Sequence, residues 1–191
     1  MMMRCLSRKM KARVSKCNNI ILIGFMGTGK TTVGKLLAQR IGYRFVDTDQ
    51  VIEQEVGLSI PEIFLKYGEQ HFRQLEKQVI RKVLTRSGIV LATGGGAVMD
   101  PANFSFLMEN GCVIALDASE NTLWERLKAA KDRPMLFSDN PREKMKSLLE
   151  MRRPVYYKAH FVVPVDGKSP QEVVDDIIAI IEPEGGDDHT E

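Results

Sequence analysis

Residues 24 to 31 read Gly24-Phe25-Met26-Gly27-Thr28-Gly29-Lys30-Thr31, a complete G-x-x-x-x-G-K-[ST] loop that follows directly on the apolar run Ile20-Ile21-Leu22-Ile23. The pattern constrains the fold because backbone N–H groups can wrap a polyphosphate only where side chains do not block the approach, between a strand and the first turn of a helix. Glycines at 24, 27 and 29 leave that approach open. A helix opening near Lys30 adds unpaired N–H groups and a partial positive charge, both aimed at an anion. Gly27, Thr28, Gly29, Lys30, Thr31 and Thr32 are therefore the expected nucleotide-phosphate contacts. Lys30 is expected to reach the β- and γ-phosphates and the Thr31 hydroxyl to ligate Mg²⁺. An ordinary Gly-rich turn is the alternative, and the flanking strand and helix argue against it.

With 191 residues, 43% of them hydrophobic and 27% charged, the chain has room for one substantial core. A formal charge of +2 does not argue for a nucleic-acid partner, and no apolar run approaches the length of a membrane span. Cys5, Cys17 and Cys112 lie far apart, as do His71, His160 and His189, so neither a disulfide framework nor a metal cluster is suggested and a reducing cytoplasm fits best. Cys112 reads as a small core residue. Arg4, Arg8, Lys9, Lys11, Arg13 and Lys16 make residues 1–18 basic without an acid; a disordered extension, or sequence ahead of the true start, is expected there. Residues 183–191 are expected to form an acidic disordered tail.

Short apolar runs at 20–23, 45–46, 89–92, 113–116 and 161–165 alternate with amphipathic segments at 30–41, 60–86, 120–131, 142–160 and 170–181. The alternation predicts an α/β fold, a three-layer α/β/α arrangement around a five-stranded parallel sheet, in a single domain over 19–182. Ligands in such folds gather at the carboxyl ends of the strands. Strand one ends in the phosphate loop, strand two in Asp47-Thr48-Asp49 and strand three in Thr93-Gly94-Gly95-Gly96.

The phosphate loop alone does not separate kinases from GTPases, motors or nucleotide sensors, but the chain has no N-K-x-D base-reading motif. Asp47 and Asp49 point the same way on a continuing strand and diverge if the chain turns at Thr48. One carboxylate near Mg²⁺ and one near an acceptor hydroxyl suit phosphoryl transfer; acids that merely cap a following helix are the alternative. The run Ile89–Ala92 lacks the terminal Asp of a Walker B element, which gives Asp47 the metal-side role, and the family resemblance drawn below implies that it acts there through water. Gly94, Gly95 and Gly96 allow backbone amides close to a γ-phosphate or a substrate oxygen. Arg73 and Arg152 are suited to fork-like recognition of carboxylate or phosphate, unless they are solvated helix-surface charges. Arg133, in Asp132-Arg133-Pro134-Met135-Leu136, reads as part of a mobile lid over about 126–140 that brings an arginine to the transferring group.

Together these motifs, with Gly68-Glu69, Phe72-Arg73, Glu76, and Arg152 followed by Pro154 and Tyr156, resemble the shikimate kinase family, a nucleoside-monophosphate-kinase-like branch of the P-loop enzymes. The resemblance spans Asn19 to about Ile181. It implies transfer of the ATP γ-phosphoryl group to the 3-hydroxyl of shikimate in a monomeric, Mg²⁺-dependent enzyme of aromatic amino-acid biosynthesis. It also implies that Arg73 and Arg152 hold the substrate carboxylate, with Glu76 orienting Arg73. Asp49 and the amides around Gly95 and Gly96 would hold the hydroxyls, with Asp49 as base. Lys30 and Arg133 would stabilise the transition state, Arg126 would stack on adenine, and the turn Asp166-Gly167-Lys168-Ser169-Pro170 would close that pocket, bringing Lys168 to ATP. Phe64 and Phe72 would wall the acceptor pocket, with core packing the more expected role for Phe64. Met135 stands where the family commonly has Leu. A kinase for another polyol or acid, and a silent nucleotide-binding protein, are the rival readings.

Overall fold

The computed structural model describes residues 18–128, 136 and 138–181. Five strands form one parallel sheet: β1 (Asn19–Gly24), β2 (Arg44–Asp47), β3 (Ile89–Ala92), β4 (Cys112–Asp117) and β5 (Phe161–Pro164), in the order β2-β3-β1-β4-β5. The central runs are apolar without alternation because both faces of the sheet are covered. Among the described residues the helices are α1 (Lys30–Ile41), α2 (Thr48–Val56), α3 (Ile60–Val83), α4 (Pro101–Asn110), α5 (Glu120–Leu127), α6 (Pro141–Tyr156) and α7 (Pro170–Ile181). α1 and α7 pack on each other, while α4 and α6 pack against β4 and β1. The three-layer arrangement expected from the alternation is the one found.

Two helices escaped the sequence pattern. α2 begins immediately after β2, with Asp47 as its N-cap accepting from Asp49 N, so the chain turns at Thr48. α4 is short and opens on Asp100-Pro101, where the Asp100 carboxylate accepts from the Ala102 and Asn103 amides. The segment expected as one helix over 60–86 is broken at Gly68, whose φ of 80° and ψ of 170° lie outside helical space and are open mainly to glycine. The last long helix stops at Tyr156, short of His160, and α5 ends at Leu127. The expected lid residues 129–135, Arg133 among them, the basic extension up to residue 17 and the acidic tail from 182 lie outside the described residues.

The main core fills both faces of the sheet and includes Cys112, 1% exposed. A second, smaller cluster of Ile52, Ile63, Phe72 and Val79 joins α2 to α3. The Phe64 and Phe72 rings meet there at a tilt of 44° with centroids 4.9 Å apart. This satellite core holds the helices that carry Asp49 and Arg73 against the edge of the sheet where β2 ends.

Candidate active site

Register brings the three informative strand ends together. Leu22 pairs with Ala92, and Ala92 with Asp47, so the phosphate loop, the Asp47 turn and the Thr93–Gly96 turn leave the sheet side by side. Crossovers from β1 run toward β2 and those from β3 toward β4, which makes this the point where connection direction reverses and a crevice opens.

In the phosphate loop the Lys30 ammonium donates to the carbonyls of Gly24 at 2.9 Å and Phe25 at 2.8 Å. Thr28 Oγ1, on a buried residue, donates to Phe25 O at 2.8 Å. Thr31 Oγ1 donates to Asp47 Oδ2 at 2.7 Å, while Asp47 Oδ1 accepts from Asp49 N at 3.0 Å. Asp47 thus serves both readings considered from sequence: it caps α2 and faces the phosphate loop. Thr32, next along α1, is exposed.

The acceptor side gathers around the glycine turn. A Cβ on Gly94 would lie 2.3 Å from Glu76 Oε1 and 3.0 Å from Asp49 Oδ1; one on Gly96 would lie 2.3 Å from Arg73 Nη2; one on Gly95 would lie 3.7 Å from Arg152 Nη1. Gly94 and Gly96 are therefore what lets two carboxylates and the Arg73 guanidinium close on one turn, while Arg152 reaches the same turn at ordinary contact distance from Gly95. The Gly94 amide is not turned outward: it donates to Thr48 Oγ1 at 3.0 Å. Arg152 is 4% exposed and Glu76 1% exposed, so neither is a solvated surface charge.

Arg73 donates through Nη1 to Glu76 Oε2 at 2.8 Å and through Nη2 to Glu69 Oε1 at 3.1 Å, and its guanidinium lies over the Phe72 ring. Burial opposes its charge, but Glu76 and Glu69 outweigh burial and hold its pKa above the ordinary value. Burial pushes Glu76 up to about 7 against the pull of Arg73 and Arg152, and the Asp49 carboxylate adds to the rise. Tyr156 OH donates to Gly95 O at 2.5 Å and interacts with Arg152; burial raises its phenol to about 12.

Arg126 lies on the other flank of the loop, and Lys168 stands in the turn after β5. Arg126 Nη1 donates to Gly27 O at 3.0 Å, and the Lys168 ammonium pairs with Asp176 at 2.6 Å. Asp166, beside Lys168, accepts from Ser119 N and Oγ; burial raises its pKa, but bonds from Thr122 and Ser119 together with the Arg126 charge bring it below the usual range. Arg133 lies outside the described residues. The motifs assign no role to Thr48 or to the Tyr156 hydroxyl. The sequence signals for Tyr156 are its place after Arg152 and Pro154 and its i, i+4 spacing from Arg152.

A family model described as shikimate kinase matches residues 26–182. The chain belongs to the shikimate kinase family. It is 48% identical to a shikimate kinase of Thermodesulfovibrio yellowstonii over 84% of this chain and 92% of that one. It is also 48% identical to one of Geobacter sulfurreducens over 85% and 90% of the two chains. Among solved structures, shikimate kinase from Acinetobacter baumannii in complex with shikimate superposes with a TM-score of 0.84 at 37% identity, over 90% of this chain and 96% of that one. A gluconokinase from Sinorhizobium meliloti, at 19% identity and a TM-score of 0.56, shares the fold. The shikimate kinase family members match the chain over nearly the whole span from the phosphate loop to α7. No described helix is long and apolar enough to cross a membrane.

Proposed function

We infer that the protein transfers the γ-phosphoryl group of ATP to the 3-hydroxyl of shikimate, giving shikimate 3-phosphate and ADP. One observation carries the acceptor choice: two arginines from different helices, Arg73 on α3 and Arg152 on α6, close on the same Gly94–Gly96 turn beside the phosphate loop. A hydroxylated ring bearing a carboxylate suits that pair, because guanidinium groups hold a carboxylate by charge-assisted, fork-like bonds. A neutral sugar would leave both cations without a counterpart on the ligand.

The geometry and the family motifs support the following roles. Lys30, released from the loop carbonyls, reaches the β- and γ-phosphates and stabilises charge on the transferring group with Arg133, whose role rests on its sequence motif. Gly27 to Thr32 cradle the phosphates, and Arg126 and Lys168 flank the nucleoside. Asp49 accepts the proton of the 3-hydroxyl as its oxygen bonds to the γ-phosphorus and the bond to the β–γ bridging oxygen breaks. Gly95 and Gly96 offer amides to the ring hydroxyls. Thr31 and Asp47, 2.7 Å apart at the start of α1, supply the oxygen donors that suit a hard cation kept mostly in its water shell. Mg²⁺ held there with ATP would neutralise the phosphate oxygens. We further propose a monomer acting in the cytoplasm, consistent with the buried free thiol of Cys112.

The test is an ADP-release assay with Mg-ATP, comparing shikimate, gluconate, AMP and no acceptor. Shikimate-dependent turnover is expected. ADP formed only with another acceptor would overturn the carboxylate assignment while leaving the phosphate site intact.

A further inference from the structure

The last turn of α6 and its C-cap residue Tyr157 present two i, i+4 pairs that face different strands. Arg152 and Tyr156, 4% and 2% exposed, turn to the Gly94–Gly96 loop after β3. Arg153 and Tyr157, one position further on, turn to the end of β4. Arg153 Nε and Nη2 donate to Asp117 Oδ1 at 3.1 and 3.0 Å, and Nη2 also donates to Ala118 O at 2.6 Å. Tyr157 OH donates to Asp117 Oδ2 at 2.8 Å. Both oxygens of one carboxylate are thus taken up by two side chains that have no part in the phosphoryl transfer described above.

A reason for this bolt lies between the two pairs. Pro154 stands inside α6. It lacks the N–H that would bond the Glu150 carbonyl, and its ring disfavours helical backbone at the residue before it, which is Arg153 itself. The turn that aims Arg152 at the acceptor pocket is therefore the least self-supporting part of its helix. Its pre-proline residue is the one tied to the sheet. Asp117 is in turn a rigid anchor: it pairs with Pro164 in the sheet, and its carbonyl accepts from Val165 N at 2.9 Å.

We propose that Asp117, Arg153 and Tyr157 form a positioning clamp that holds the last turn of α6 helical past Pro154 and thereby fixes the Arg152 guanidinium and the Tyr156 hydroxyl at Gly95. The clamp acts on acceptor binding through Arg152 and touches no substrate. The proposal rests on the acceptor role given to Arg152 above.

Steady-state kinetics and thermal melts of wild type, Arg153→Ala, Asp117→Asn and Tyr157→Phe test it. Arg153→Ala is expected to raise KM for shikimate roughly tenfold and Tyr157→Phe about two- to threefold, with KM for ATP changed by less than about twofold. Because the clamp works through Arg152, the Arg152→Ala/Arg153→Ala double variant should have the shikimate KM of Arg152→Ala alone. Additive effects, an unchanged shikimate KM, or a lower Tm with only kcat reduced would each overturn the clamp. If Arg153→Ala fails to fold, the rim variant Tyr157→Phe decides: a KM equal to wild type rejects the idea. Wild type serves as the control for the underlying reading, since absence of shikimate-dependent turnover in wild type sinks the function itself, whereas normal wild-type turnover with unaltered variants sinks only the clamp.

Discussion

In the phosphate loop the backbone does the holding. Glycines, carbonyls and a lysine from eight consecutive residues close on one another, and the Lys30 ammonium rests on two carbonyls of its own loop. The acceptor pocket beside it is made of side chains from distant parts of the chain: Asp49 from α2, Arg73 and Glu76 from α3, and Arg152 from α6. Its Arg73 guanidinium is held by two carboxylates, Glu76 at 2.8 Å and Glu69 at 3.1 Å. The first site should therefore depend on single residues for chemistry, and the second on a balance among neighbours for affinity.

The largest expected effect lies on the phosphate side. Lys30→Met should cut kcat by on the order of 10²–10³ with shikimate affinity kept, because one preorganised cation is lost where charge develops. Isothermal titration of shikimate alongside turnover checks the split. On the acceptor side Arg152→Ala should raise KM for shikimate on the order of 10–100-fold while KM for ATP stays nearly unchanged, in line with a lost charge-assisted bond. Equal shifts in both constants would erase the distinction drawn here between the two sites.

Gly96→Ala should have a smaller effect than either. A methyl 2.3 Å from Arg73 Nη2 forces the guanidinium away from the pocket, so shikimate affinity should drop several-fold while nucleotide binding persists. An unaltered shikimate dissociation constant would mean that the turn tolerates a Cβ.

Glu76 offers a pH test of the same balance. Its folded-state pKa is raised from an ordinary 4.5 to about 7, chiefly by burial. The folded protein then binds the proton more tightly than the unfolded chain, so the stabilisation is complete below 4.5 and is lost as pH rises through about 7. Glu76→Gln, which carries no such charge, should gain thermal stability relative to wild type as pH is raised from about 5 to 8. A Tm difference that does not move with pH would contradict a buried carboxylate held near neutrality. The smallest effect is expected at Arg126, an exposed residue bonded to Gly27 O: Arg126→Ala should change KM for ATP by only a few-fold.

Much of this molecule was legible from the order of its residues. The five strands and the helices at 30–41 and 170–181 followed from apolar runs and periodicity, which are short-range properties. The helices at 48–56 and 101–110 did not, because each is short and is set by a cap, Asp47 or Asp100, more than by an apolar stripe. The break at Gly68 was likewise hidden inside a continuous amphipathic pattern.

The sequence by itself determined the phosphate loop, since its eight residues are contiguous and their spacing is the geometry. It also supplied the inventory of the acceptor site: Asp49, Arg73, three glycines and Arg152. Only the tertiary structure decided that these meet. Parallel register set Asp47 beside Ala92, the satellite core under α2 and α3 brought Asp49 and Arg73 to the same turn, and α6 delivered Arg152 from the other side. It also decided what no motif states: that Glu76 is buried to a pKa of about 7, that Gly94 N is bound by Thr48, and that Arg152 and Arg153, adjacent in sequence, serve different strands. Burial and side-chain direction arise from packing between segments far apart in the chain, and neither is a property of any one of them.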